Sequence, residues 1–268
     1  MRATARVYWR LLAAGFRRQS AYPLAALGGL TANTAFGLLK VAILFATVRA
    51  AGGNLHGYDT AAMSTYVWLS QGMLGSVNLD GRSDLALRVK DGSVAVDFLR
   101  PLDPQAAAIV TDTGRYLFSL LPRGLPSLLL GAVTTGLALP GNPLYYPLGL
   151  ISLVLGTMVS VASVYLVAVA GFWLVETRGL QILYMLASGF LGGLYVPLAL
   201  FPRWLDTVAT ATPFPSIMMY PIDVLSGTGS VAHAAGLVLA QLAWFAGVAG
   251  LGQLLTRAGR RKLEVQGG

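Results

Sequence analysis

The sequence has 268 residues, of which 55% are hydrophobic and 11% charged, with 32 Gly, 13 Pro, no Cys and a formal net charge of +8. Ordinary soluble domains carry about 25% charged residues, so this deficit, with a mean hydropathy of +0.65, excludes a typical soluble protein and predicts an integral membrane protein. The missing cysteines exclude disulfides, thiolate metal sites, cysteine nucleophiles and cysteine-ligated iron–sulfur clusters.

The first 20 residues are too rich in arginine, and too short of continuous apolar sequence, for a cleavable signal peptide. At about 100° per residue, Arg2, Arg6, Arg10 and Arg17 share one arc while Val7, Tyr8, Leu11, Leu12 and Phe16 share the other. This predicts an amphipathic helix at the cytoplasmic membrane surface, serving as a topology anchor or as a dock for a partner.

A spanning helix needs about 20 mostly apolar residues. Six stretches qualify, at residues 22–48, 60–79, 116–139, 147–175, 179–200 and 232–256. They are apolar all round, without the two-residue alternation of a membrane barrel. The expected fold is therefore an all-α integral membrane bundle of six transmembrane helices in a single domain over residues 1–268.

Between the second and third spans, residues 80–104 hold Asp80, Arg82, Asp84, Arg88, Lys90, Asp91, Asp97, Arg100 and Asp103, interleaved with Leu85, Leu87, Val89, Val94, Val96, Phe98 and Leu99. Ser83 can cap a short helix that Asp91-Gly92 ends. Ser93 can start a second element that stops at Arg100-Pro101, because the residue before proline disfavours helix. A short charged helix with apolar residues, held at the membrane surface, is a handle for another protein.

Residues 189–215 read GFLGGLYVPLALFPRWLDTVATATPFP. Gly192, Gly193, Pro197, Pro202, Pro213 and Pro215 disfavour a continuous helix, and non-helical backbone at membrane depth must be shielded by protein or line a cavity. The reading is a span that ends near Pro197, then a re-entrant hairpin over residues 196–215 on the outer side. Trp204 and Tyr220 are expected at interfacial depth.

Orientation follows from the basic residues. With six spans, Arg2 to Arg18, Arg82 to Arg100, Arg178 and Arg257 to Lys262 all fall on one side, against Arg49 and Arg203 on the other. The positive-inside rule then puts both termini in the cytoplasm. Within spans, Asn33, Asn78 and Gln181 are the candidate translocation-path residues, since polar side chains there are costly. Asn and Gln also glue helices together. Lys40 would reach a headgroup only if its helix shifted, and Glu176 with Arg178 is expected to form a pair at the inner boundary.

Ser188-Gly189, the VPLALFPRWL run at 196–205, Pro213-Phe214 and this overall layout resemble the permease subunits of ABC-2 type ATP-binding-cassette exporters. Gly92, the FLRPLDP phrase at 98–104 and the C-terminal Val265-Gln266-Gly267-Gly268 resemble a bacterial subgroup of them. The resemblance implies a multi-pass protein of the bacterial inner membrane that moves a hydrophobic or amphipathic molecule such as a drug, a lipid-linked compound or a peptide. It also implies cytoplasmic ABC ATPase subunits that hold ATP and Mg, and a second permease, identical or related. Asp84, Arg88, Lys90, Asp91, Asp97, Arg100 and Asp103 become the candidate ATPase-coupling residues; Pro197, Pro202, Trp204 and Pro213 mark the hairpin. No catalytic or metal-binding residue is expected in this chain, and no cofactor.

A phosphate-binding loop needs Gly-Lys followed by Ser or Thr, and Lys40, Lys90 and Lys262 follow Leu39, Val89 and Arg261. No interleaving of aromatic and basic residues points to nucleic acid. A secondary transporter is the nearest rival, but such folds carry internal repeats and none is visible. A metal-dependent membrane enzyme would need aspartates on one helix face, and Gly92 and Pro101 interrupt that segment. A subunit that transmits ATPase motion without moving a substrate is the third alternative.

Overall fold

The computed structural model describes residues 2–20, 23–174 and 176–262. The predicted start of the first span at Tyr22, the predicted end of the fourth at Val175 and the C-terminal Val265-Gln266-Gly267-Gly268 fall outside the described residues. Among those described the chain is all-helical: twelve α-helices, three short 3₁₀ turns and one π-turn, with an isolated bridge between Leu55 and Tyr58 in place of any strand.

Four helical stretches are long and apolar enough to cross a membrane, Gly28–Ala50, Pro104–Thr134, Tyr145–Phe172 and Val231–Arg260. They belong to α2 (Pro23–Ala50), α5 with α6 (Pro104–Phe118 and Leu125–Thr134), α7 (Tyr145–Val169) and α12 (Val231–Arg260). In the other two expected spans the α-helices are α3 (Thr60–Met73) and α8 (Arg178–Leu191), of 14 residues each. At about 1.5 Å per residue these are roughly 21 Å long, short of a hydrocarbon core of about 30 Å. Beyond α3, the Asn78 side chain accepts from the Gly81 N–H at 3.0 Å and donates to the Arg82 carbonyl at 2.8 Å, replacing helix bonds. Gly193, at φ +77°, closes α8 with two bonds of a Schellman motif: Leu194 N–H to Gly189 O at 3.1 Å and Gly193 N–H to Phe190 O at 3.3 Å.

The third expected span also shifts. Its helix starts at Pro104 rather than residue 116, because Asp103 accepts from the Ala106 N–H at 2.7 Å and Pro104 suits the first helical position. It ends at Thr134, ahead of Gly136 at φ +77°. A π-turn at Leu120–Gly124 interrupts it where Pro122 has no N–H to give.

Helix α1 (Arg2–Ser20) matches the predicted N-terminal helix, and it packs along α5. A methyl at Gly15 would collide with the Thr111 carbonyl, and one at Gly114 with the Leu12 carbonyl, so the two backbones touch. Phe16 and Phe118 meet edge to face at 5.0 Å beside that crossing.

Helix α7 is the central post, with α5, α11 (Met219–Ser226) and α12 against it. Its small residues admit close neighbours: a Cβ on Gly156 would lie 2.7 Å from the Ile217 carbonyl. Gln241 of α12 accepts from Ser152 Oγ at 2.7 Å and donates to the carbonyls of Ser152 at 3.0 Å and Ser216 at 2.8 Å. Helix α3 is buried from Met63 to Met73. Its Trp68 ring fits between Gly37 of α2 and Gly131 of α6, and the indole N–H reaches Thr135 Oγ1 at 2.9 Å.

Candidate coupling segment and apolar cleft

The charged segment after α3 folds as two short helices. Helix α4 (Asp84–Lys90) is capped by Ser83, whose side chain accepts from the Ala86 N–H at 3.2 Å. It ends at Asp91, and Gly92 at φ +78° turns the chain into a 3₁₀ helix, Ser93–Leu99. Leu85, Ala86, Val89 and Val94 face inward onto Tyr165, Ala168 and Val169 at the end of α7. Leu87, Val96 and Leu99 face outward and are 65%, 55% and 84% exposed.

Most of the charges brace this unit. Asp97 takes Arg88 at 2.5 Å and Arg100 at 3.4 Å. Asp103 caps α5 and accepts from Gln253 of α12 at 2.7 Å, while the Arg260 guanidinium of α12 lies 5.3 Å from the Phe98 ring. Asp84 meets Arg18 of α1 at 3.5 Å. Asp91 accepts from the Ser93 hydroxyl at 2.6 Å and its N–H at 2.9 Å, bonds that hold the carboxyl below its ordinary pKa. Lys90 pairs with Glu176 at 2.7 Å and lowers that carboxyl's pKa. The expected Glu176–Arg178 pair is therefore corrected: of Arg178 only the backbone N–H reaches Glu176, at 3.3 Å, and the ion pair is made by the Lys90 ammonium from α4. Through these contacts the segment grips α1, α5, α7, α12 and the chain leading to α8.

A second feature lies between α2, α3 and the end of α8: a cleft of about 480 Å³ lined mainly by apolar side chains, among them Phe36, Leu39, Ile43, Leu74 and Tyr195. Two polar side chains open onto it. Lys40 donates to Tyr66 Oη at 3.3 Å, Ser70 Oγ at 3.0 Å and the Leu194 carbonyl at 2.5 Å, and its ammonium lies 4.4 Å from the Tyr66 ring. Tyr66 in turn donates to the Gly193 carbonyl at 2.7 Å. Lys40 thus completes the broken C-terminus of α8, where a cation is favoured by the carbonyl end of the helix. Gln71 is buried, yet its Oε1 has no hydrogen-bond partner among the described residues.

The path candidates do not converge on one site. Asn33 donates to the Gln71 carbonyl at 3.1 Å and ties α2 to α3. Asn78 is used up by the turn after α3, with its backbone carbonyl taken by Ser160 Oγ and Tyr184 Oη at 3.0 Å each. Gln181 donates to Thr177 Oγ1 at 3.2 Å and lines a cleft beside Lys90 and Glu176. In the proline-rich region, Pro197 starts a 3₁₀ turn, Leu198–Leu200, and Pro202 precedes α9 (Arg203–Thr210). Pro213 precedes α10 (Phe214–Ile217). Trp204 is 68% exposed, whereas Ile217 and Met218 lie in the core against α7. Sequence reasoning passed over Arg123. Its signal was a Pro-Arg-Gly triplet inside an otherwise apolar span.

The sequence matches the family model for the ABC-2 family transporter protein over residues 32–267. No curated protein matches it.

Proposed function

This chain belongs to the ABC-2 transporter family, a multi-pass membrane component without a nucleotide site of its own, and we propose that it is the permease subunit of an ATP-driven exporter. The observation that carries this reading is the outward trio Leu87, Val96 and Leu99 on a charged unit braced against four helices. Apolar side chains that far exposed beside Arg100, Lys90 and Asp91 suit a protein partner.

In this proposal the partner is a pair of cytoplasmic ABC ATPase subunits, which hold ATP and Mg, under two permease subunits. The chain crosses the bacterial inner membrane six times, α3 and α8 completing their crossings as irregular chain shielded by neighbouring helices. Both termini are cytoplasmic, and α9 with its flanking prolines forms the outer re-entrant hairpin. Closure of the ATPases pushes α4 and the 3₁₀ helix against the end of α7, and Arg18 carries part of that push into α1. The push favours one of two bundle packings, which requires that the ATPase bind the two differently. The apolar cleft at Phe36 and Leu39 suits a hydrophobic or amphipathic substrate.

Purification of the tagged protein from its native membrane in mild detergent tests the reading. A co-purifying ATPase that hydrolyses ATP, lost in Leu87→Asp and Leu99→Asp while the chain still inserts, is expected. Recovery of the chain alone from both wild type and variants overturns it.

A further inference from the structure

Arg123 sits in the π-turn of the α5–α6 stretch, inside a helix apolar enough to cross a membrane. A cationic side chain there is costly unless it is matched or lines a polar cavity. Among the described residues its guanidinium has no ion-pair or hydrogen-bond partner. Its location is nevertheless tightly shaped. The guanidinium lies on Gly29 of α2, where any side chain would collide with it, and a Cβ on Gly75 would come within 2.9 Å of both Arg123 Cδ and Ser119 Cβ. Glycine at both positions lets the arginine lie directly on backbone, that of α2 at Gly29 and that of the turn after α3 at Gly75.

The neighbours point to an anion. Arg115, Ser119 and Arg123 follow at intervals of four residues, and the Arg123 N–H still bonds to the Ser119 carbonyl at 3.2 Å, so the three share one face. That face lines a cleft of about 350 Å³ closed by Gln19 of α1 and by Leu74 to Asp80 after α3. Arg115 has only a loose contact with Asp112, at 3.7 Å, and stacks 5.1 Å from the Tyr116 ring. Among the described residues of the lining Asp80 is the single acid, so two guanidinium groups face one carboxylate. The net charge of the lining is that of one cation, which a monoanion balances. Guanidinium forks favour phosphate oxygens, and the Ser119 hydroxyl and Gln19 amide add neutral donors.

We propose that this cleft binds a phosphodiester monoanion, carried either by a phospholipid headgroup or by a soluble phosphodiester. The site is independent of the ATPase reading.

The test is native mass spectrometry of the full chain released from micelles containing phosphatidylglycerol. Wild type is expected to retain the lipid, Arg123→Gln and Arg115→Gln each to lose about tenfold in occupancy, and Arg123→Lys to fall between. Arg10→Gln, on the exposed face of α1, is expected to retain it fully. Melting curves show whether the variants fold, and Arg115→Gln serves if Arg123→Gln does not. Displacement by millimolar glycerophosphoglycerol assigns the site to a soluble phosphodiester; resistance to it assigns the site to the lipid. Equal retention in wild type and both glutamine variants, or an equal loss in Arg10→Gln, overturns the proposal.

Discussion

Replacing Asp97 with alanine removes the acid that holds Arg88 at 2.5 Å and Arg100 at 3.4 Å. Fully exposed pairs contribute about 0–1 kcal/mol, and breaking a fully buried pair costs about 3–5 kcal/mol. Asp97 is nearly buried, Arg88 is partly buried and Arg100 is largely in solvent, so the loss falls between, at about 1–2 kcal/mol. It is local, because the core beneath rests on Leu85, Val89 and Val94. Opening of the 3₁₀ helix should become roughly 5–30 times more frequent. Hydrogen exchange of the peptide spanning 93–100, read by mass spectrometry in detergent, measures this directly. Arg88→Ala should have a smaller effect, since Asp97 keeps Arg100, and the double variant should fall short of the sum. Exchange within about twofold of wild type in Asp97→Ala would refute the bracing role.

Three further outcomes follow from the geometry. Gly131→Ala drives a methyl into the Trp68 ring, so overpacking of about 1–3 kcal/mol should lower the melting temperature by several degrees, with partial recovery when Trp68→Phe is added. Lys90 depresses the Glu176 pKa, so that pairing contributes above the unfolded carboxyl's pKa and is lost as pH falls through the folded value; Lys90→Met should raise the Glu176 pKa in a carboxyl-resolved NMR titration, and an unchanged value would contradict the pairing. Gln71→Leu removes the orphaned Oε1 acceptor at the apolar cleft. It should leave the melting temperature equal or higher, because an unsatisfied buried acceptor costs about 1–3 kcal/mol, while weakening stimulation by substrates that carry a hydrogen-bond donor.

Local chemistry was legible wherever one or two residues decide the backbone. Ser83, Asp91-Gly92, Ser93 and Arg100-Pro101 mark the two short helices at the positions found, since caps and proline act within a turn. The arginine arc likewise marked α1. Features set by partners distant in sequence were not readable. Composition alone makes residues 60–79 a span, but α3 ends at Met73, and beyond it the chain is held as irregular backbone by Asn78, which closes a turn with Gly81 and Arg82 and docks on Ser160 and Tyr184. Lys40 is an expensive intruder in α2 until the broken end of α8, more than 150 residues away, supplies its carbonyl. Glu176 has Arg178 two residues on, yet pairs with Lys90, which only the fold brings near. Arg115 and Arg123 form a face only once the helix is known to begin at Pro104 and continue through the π-turn.

The coupling account is tested most directly by cross-linking, because the natural chain has no cysteine and a single introduced thiol is unambiguous. Leu99→Cys and Leu87→Cys, each treated in native membranes with a short thiol-to-amine cross-linker, should capture a P-loop ATPase identifiable by mass spectrometry, with a yield that changes on adding ATP. Val208→Cys, exposed on α9, should capture none. Failure of both coupling-segment thiols to capture an ATPase that co-purifies, or equal capture from Val208→Cys, would contradict the claim that this segment receives the ATPase stroke.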